Sequence, residues 1–461
     1  MNKIVLSLSL VVTLFSLIAC TNTEAATTND ITYSNEPNTT DLSSFSSEEE
    51  IIDALIYPHN QVIEVNIDID DTEYSDLIVN ATLEEYHPCN ITYNGFTLNN
   101  VAIRTKGNSS LRDVARSNGT RFSYNIDLNY FEDQDLFGLD KLILNNLYMD
   151  PSMIAEYTAY EAMDSLGVIS SKTTFIALFI NQSYYGLYLS VEHVGNEFLD
   201  NRFGNSEGEF YKPEIEEGSA GSLGGASLDY VSDDFDYSNL IDKFNDTLII
   251  DNTKIIDLMK RLELNNQIGE VFDMAQYLKY LAVSTYTVNL DSYQGGIFHN
   301  YYLYNNNGIF EWIPWDLNMA YNGFPGVRLT DNAAIAYLID EPVVNSMDNY
   351  PLIDACFSNQ DNIESYHIYM TMLIENYYQI DHFTSRVEEI VSMIDHYVES
   401  DPNRFYSYQD FLSAVSGTST TTYSIITFVS KRTDNVRDQL LGITASTNNR
   451  NGNIVTVSLP R

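Results

Sequence analysis

Basic residues are scarce in this chain, with 23 Lys and Arg against 65 Asp and Glu, a formal net charge of −42. Nucleic-acid binding requires cations that neutralise phosphates, so this balance argues against DNA or RNA as partners. Most of the excess acid reads as a solvated surface. Cysteine is also sparse, at 3 residues. No Cys/His group has the spacing of a zinc site, and Cys89 and Cys356 either pair in an oxidising compartment or remain two thiols, since their spacing decides neither. There is no internal repeat, no Gly-x-Ser-x-Gly and no His-Glu-x-x-His, which removes the common hydrolase and metalloprotease signatures.

Long apolar runs are missing too, apart from a short one at the start. Met1-Asn2-Lys3 followed by Ile4 to Ile18 has a positive beginning and an apolar stretch too short to span a bilayer, the pattern of a secretory signal over 1–19. Leu17-Ile18-Ala19-Cys20 also fits a bacterial lipobox, in which Cys20 becomes the lipidated first residue; an ordinary cleaved signal with an incidental Cys is the alternative. Such a lipid would place an exported protein on the cell surface, anchored to the membrane. Residues 20–48, rich in Thr, Asn and Ser, read as the lipidated Cys and a disordered tether, and 444–461 as a polar tail. The body between them, 49–443, has ample apolar and aromatic content for a core.

What is present is patterned. Apolar alternation predicts strands at 62–68, 101–104, 121–130, 141–145, 173–180 and 185–191, so the first half reads as a largely antiparallel sheet. One helix interrupts it, with Asp150 as N-cap, Pro151 at its first position and Gly167 as its stop. Met153, Tyr157, Tyr160 and Met163 form one stripe of that helix and Glu156 lies beside it, so this acid faces the packed side, with Glu161 farther round. From Asn239 onward the pattern is mostly helical. Within that half, Phe298 to Tyr304 and Ile309 to Glu311 flank Asn305-Asn306-Asn307-Gly308 and predict a hairpin. Asp291 precedes the hairpin and Asp316 follows it, so the two carboxylates meet at its open end. Helix, loop Asp, strand, turn, strand, Asp is the order that protein kinases use around their catalytic base and metal-binding Asp.

Several blocks share a further likeness. Asp291-Ser292-Tyr293, His299-Asn300-Tyr301-Tyr302-Leu303-Tyr304 and Pro314-Trp315-Asp316-Leu317-Asn318 are preceded by Arg104-Thr105-Lys106-Gly107-Asn108-Ser109-Ser110, Leu142-Ile143-Leu144-Asn145-Asn146, Val191-Glu192 and Gly208-Glu209-Phe210-Tyr211-Lys212, and followed by Lys431 to Leu440. In this order the blocks resemble the spore coat protein H (CotH) kinase family, an atypical protein-kinase-like group, over about residues 60 to 442.

The resemblance implies an α+β, atypical protein-kinase-like two-lobed fold. Its N-lobe, about 55–192, would be an antiparallel sheet with one helix, and its C-lobe, about 193–443, mainly helical. It implies ATP with Mg²⁺ or Mn²⁺ as cofactors and phosphotransfer to Ser/Thr of a cell-surface or coat protein of unknown identity. Asp291 would be the catalytic base and Asp316 the metal ligand, with Asn300 or Asn318 completing the metal shell. The position five residues after the base, where kinases carry Asn, is Gly296 here. Glu156 would orient a phosphate-holding cation, for which Arg121 is the first candidate and Lys106 and Lys141 compete. Glu192 joins the nucleotide-binding set. Lys106 to Ser110 would cover the phosphates, whereas the glycine-rich 218–225 reads as a surface loop. His299 reads as a hydrogen-bonded core histidine. A glycosidase carboxylate pair is a weaker reading, and a non-catalytic adhesin or assembly scaffold is the alternative from another class.

If Cys20 carries a lipid, Cys20→Ala should move the protein from the membrane to the soluble fraction, because the acidic body has no attraction to anionic lipid. Fractionation after a salt wash checks this, and a mutant that stays with the membrane refutes the lipobox.

Overall fold

Alternation along the early strands puts one row of apolar side chains on each, and in three dimensions those rows face one another. A computed structural model describes residues 31–213, 226–233, 240–242, 253–416 and 424–454. The expected signal, Cys20, the loop at 218–225 and the end of the tail at 455–461 lie outside the described residues. In chain order the first half contains α1 (Glu48–Ile51), β1 (Ile63–Asp68), α2 (Asp71–Val79), β2 (His87–Tyr93), β3 (Phe96–Lys106), α3 (Ser109–Arg116), β4 (Ser123–Asp127), β5 (Lys141–Asn145), α4 (Ala155–Ser165), β6 (Thr173–Ile180), β7 (Ser183–Glu192) and α5 (Asn196–Phe203).

The expectation of a two-lobed kinase-like fold, with an antiparallel sheet as N-lobe, is corrected here. The seven strands close into a barrel in the order β1-β2-β3-β4-β5-β7-β6. Closure comes from β1 and β6, which pair parallel with Ile63 opposite Ile176 and Ile67 opposite Ile180, while the other pairs are antiparallel. Alternation reports which face of a strand is buried, not which distant strand lies beside it, so the closing pair left no local signal. β2 was missed because Pro88 interrupts its pattern; the register shifts between Cys89 and Ile91, a bulge that accommodates the irregularity. The class remains α+β.

Val65, Ile103, Ile126, Leu144, Ile176 and Tyr188 fill the barrel interior. Outside it, Phe175, Leu187, Leu189 and Val191 pack against Tyr157 and Met163 of α4. The helix begins later than expected. Asp150 accepts from Ser152 N at 2.8 Å and Ala155 N at 2.9 Å, so its carboxylate caps a preceding turn as well as the helix. Gly167, at φ +64, ends it as the pattern predicted.

The second half adds β8 (Phe210–Pro213), β9 (Leu240–Asp242), α6 (Thr253–Leu264), α7 (Met274–Tyr286), β10 (Tyr301–Asn306), β11 (Ile309–Pro314), α8 (Asp331–Ile335), α9 (Pro351–Phe357), α10 (Gln360–Glu375), α11 (Ile380–Ser400), α12 (Tyr408–Ser416) and α13 (Ile425–Leu440). β10 and β11 form the predicted hairpin, turning through Asn307 and Gly308 at φ +52 and +99, the left-handed pair a tight hairpin needs. They belong to a sheet of order β11-β10-β8-β9. Of the expected tether, residues 31–48 are described, and Asn38 donates its N–H to Gly95 O at 3.1 Å along the barrel. Among the described residues no helix is long and apolar enough to cross a membrane. Cys89 and Cys356 are separate buried thiols.

The buried ion pair between Arg121 and Asp401, 2.7 Å apart with both side chains almost wholly out of water, ties the barrel to the end of α11. Asp401→Ala leaves the Arg121 charge buried without its counter-ion, and such a loss costs about 3–5 kcal/mol. Chemical denaturation of the variant should show a destabilisation of that size.

Candidate functional site

Two strand ends and one helix bring polar side chains to a single place. Lys106 ends β3, Asn145 ends β5 and Glu156 lies in the first turn of α4. Lys106 Nζ donates to Asn145 Oδ1 at 3.0 Å, and Asn145 Nδ2 donates to both Glu156 carboxylate oxygens, at 2.9 and 3.1 Å. Glu156 is therefore linked to a cation as expected of an inward acid, but through an amide and to Lys106. Asn145 was legible as part of a block and not as a site residue; its signal is a polar residue at the end of an otherwise apolar strand.

The second wall comes from the hairpin. Tyr301 pairs with Pro314 at its open end, and Trp315 N donates to Asn300 O at 3.1 Å just beyond. Asp291 and Asp316 are carried there, one in the loop after α7 and one directly after β11. Asn300 Nδ2 holds Asp291 O at 2.8 Å, and His299 Nε2 lies 2.6 Å from Asp291 Oδ1. His299 is hydrogen-bonded, as its sequence reading had it, but its partner is the candidate base. Asp316, Asn300 and Phe298 have φ of +55, +60 and +50, and Val288 has +51, a strained value for a β-branched residue.

Lys212 of β8 completes the wall, with its Nζ 5.7 Å from the centre of the Tyr302 ring. Lys106 lies 5.6 Å from the Trp315 ring in the same way. Each lysine acts electrostatically on Asp316. Lys212 was missed as a site residue; a basic residue closing the Gly-Glu-Phe-Tyr-Lys block, in a chain so short of cations, was the available signal.

The electrostatics follow from removing many charges from water at once. Burial, then the charge of Asp316, pushes the Glu156 carboxyl up to about 8, against the Asn145 hydrogen bond and Lys106. Burial lowers the Lys106 ammonium and raises Asp316, against Lys106 and Lys212. Burial and Asp316 hold Asp291 well above the usual carboxylate range. His299 is pushed down to about 4 by burial and by Lys212, so its imidazole is neutral at pH 7.

This donor set fits a divalent cation. Asp291 and Asp316 repel each other, and Asn318 Oδ1 is buried with no hydrogen-bond partner. All are hard oxygen donors of the type Mg²⁺ and Mn²⁺ prefer. Among the described residues no three His, Cys, Asp or Glu side chains gather as a self-sufficient metal cage.

Two of the expected nucleotide-binding residues lie elsewhere. Arg121 donates Nε to Asn146 O at 3.0 Å and pairs with Asp401, so it is a structural cation rather than a phosphate-holding one. Glu192 accepts from Arg202 Nη2 and from Lys172 N, each at 3.0 Å, and helps bind α5 and the region of α1 to the end of β7. Lys141 pairs with Asp127 at 3.4 Å. Glu161 is held by Arg386 at 2.6 Å, as befits an acid on the far side of the α4 stripe.

The model of a family described as CotH kinase protein matches residues 103–436. The inner spore coat protein H of Bacillus subtilis (strain 168) is 26% identical over 231 residues, covering 46% of this chain and 57% of that protein. The chain thus spans little more than half the length of this curated relative.

Glu156 yields a pH prediction. Its folded value, about 8, stands above its ordinary 4.5. A raised carboxyl contributes stability that is complete below about pH 4.5 and lost as pH rises through 8. Glu156→Gln keeps the volume and removes that titration, so the variant should gain stability relative to wild type between pH 5 and 8 while losing activity. Denaturation midpoints of both proteins across this range test it, and parallel curves would contradict it.

Proposed function

Because the chain belongs to the CotH kinase family, we propose that it transfers the γ-phosphoryl group of ATP, with Mg²⁺ or Mn²⁺, to Ser/Thr hydroxyls of coat or cell-surface proteins. The single observation that carries the reading is the confrontation of two sets of groups. The Lys106, Asn145 and Glu156 chain stands on the barrel side, with the Asp291 and Asp316 pair at the hairpin end. Phosphoryl transfer demands positioning and charge neutralisation more than covalent chemistry, and this site offers both.

In this reading Lys106 and Lys212 hold phosphate oxygens, and Asn145 relays the orienting effect of Glu156 to Lys106. Asp316 and the Asn318 oxygen would hold the metal, whose bound charge neutralises the triphosphate. Asp291 takes the proton of the acceptor hydroxyl as the new O–P bond forms and the bridging bond to ADP breaks, so the leaving group departs with the electron pair. Gly107 to Ser110 leads from Lys106 into α3, whose first N–H groups have no side-chain cap. Those donors suit an anion.

Room for the nucleoside is supported by a polar strip on the outer face of the barrel. Lys106, Arg104 and Ala102 pair with Ser123, Asn125 and Asp127 in turn. Asn125 Oδ1 and Asp127 Oδ1 are buried without partners, although buried acceptors are usually satisfied. Ser123 to Asp127 spans about 13 Å at the usual strand rise, a length suited to an extended nucleotide. The coat setting follows the name of the relative, and the lipid anchor at Cys20 belongs to the same reading.

The two aspartates should fail differently. Asp316→Asn removes charge from the metal position, so ATP affinity should become nearly independent of added Mg²⁺ and turnover should collapse. Asp291→Asn should still bind Mg·ATP but lose about 10²–10⁴-fold in transfer. ATP titrations with and without Mg²⁺, beside turnover measurements, separate these roles. If both variants bind and phosphorylate like wild type, the scaffold reading replaces this one.

A further inference from the structure

The Asp291 carboxylate is held by a residue that kinase logic does not require. His299 lies beyond a tight turn, Tyr293–Gly295, and the residues on either side of it, Phe298 and Asn300, are both left-handed, with φ of +50 and +60. Two non-glycine exceptions flanking one histidine are costly and persist only where surrounding structure enforces them. Their effect is to turn the imidazole back onto the loop it came from, where Nε2 meets Asp291 Oδ1 at 2.6 Å. The Asp291 backbone is pinned separately, its N–H to Asn289 Oδ1 at 3.2 Å and its carbonyl by Asn300 Nδ2 at 2.8 Å. Backbone pins alone leave the carboxylate free to rotate; the Asn300 side chain also approaches it, and the ring, at 2.6 Å from Oδ1, is the contact that fixes its orientation.

We propose that His299 is the positioning residue of the reaction: it donates Nε2–H to one oxygen of Asp291 and so aims the other at the acceptor hydroxyl. The inference rests on the phosphotransfer reading and adds the residue that orients its base. In this role His299 works through Asp291 and not on either substrate, so it acts on the rate of transfer and not on substrate affinity. Misplacing a reacting group by about an ångström costs on the order of 10²-fold, which sets the scale of the effect.

The test uses the whole chain with ATP, Mg²⁺ and a Ser-rich synthetic peptide. His299→Ala should lower kcat by about 10²-fold with KM for ATP and Mg·ATP affinity unchanged. His299→Gln, whose amide N–H reaches nearly the same point, should recover most of the loss. A His299→Ala variant with wild-type kcat overturns the proposal, as does one whose loss lies in KM, or a Gln variant no better than Ala. Should the Ala variant fail to fold, ¹⁵N NMR of wild-type histidines decides: His299 must carry its proton on Nε2, and a proton on Nδ1 instead refutes the donor role. If wild-type protein transfers no phosphate while binding no Mg·ATP, the function itself is wrong and the inference falls with it, an outcome distinct from active wild type with an indifferent His299.

Discussion

The buried pair of Arg121 and Asp401 is the contact on which the architecture turns. Arg121 gives Nε to Asn146 O, Nη2 to Leu187 O and Nη1 to Asp401, and stacks 4.6 Å from the Tyr188 ring. Asp401 in turn accepts from Leu187 N at 3.0 Å. A buried pair compensates its desolvation only when such additional hydrogen bonds are made, and here they are. The chain makes space for it with Gly186, where a Cβ would sit 2.7 Å from Asp401 Oδ2. Asn146, which also donates Nδ2 to Arg121 O at 2.7 Å, directly follows Asn145. The structural cation thereby fixes the dipeptide from which the Lys106 and Glu156 relay starts, at a distance from any chemistry of its own.

That arrangement makes sense of the charge imbalance. With so few cations, those that are buried have specific tasks. Arg432, wholly buried, faces no carboxylate and donates instead to the carbonyls of Thr285, Tyr286, Ile335 and Tyr337, joining α13 to the end of α7. Arg386 holds Glu161, and Arg202 holds Glu192. In the site, Lys106 and Lys212 face Glu156, Asp291 and Asp316, so the carboxylates outnumber the lysines, and burial drives the three carboxyls and Lys106 towards neutrality. Relief requires either bound protons or bound metal. In the proposed reading, the same excess of acid that is merely solvated on the surface is met inside the cleft by a divalent cation.

Much of this was legible in the residues themselves. The hairpin, the meeting of Asp291 and Asp316 at its open end, the inward face of Glu156 and most strand positions follow from periodicity and turn chemistry, which are local. What escaped reading was non-local. Parallel pairing of β1 with β6 joins segments over a hundred residues apart, and it converts an expected open sheet into a barrel. The choice between Arg121 and Lys106 depended on where each strand end pointed: Arg121 precedes β4 and turns to Asp401, whereas Lys106 closes β3 beside Asn145. His299 resembled a core residue because nothing in its neighbours announces a left-handed residue on each side of it.

Strand register fixes Asp316 against Asn300, whose side chain in turn pins the Asp291 carbonyl at 2.8 Å. Six cross-strand pairs, from Tyr301 opposite Pro314 to Asn306 opposite Ile309, hold β10 against β11, and the Trp315 N–H to Asn300 carbonyl bond extends the ladder by one step at the open end. After that last bond the chain leaves the sheet, entering the left-handed Asp316. A slip of one residue would reverse every side chain of the hairpin, and the stack of Tyr301 on Trp312, with centroids 4.1 Å apart, would be lost with it. Core packing therefore specifies the register, and the register, through Asn300, specifies how Asp291 stands relative to Asp316. A hairpin buried for stability in this way gives two carboxylates a fixed separation, which neither of their flexible side chains could keep alone.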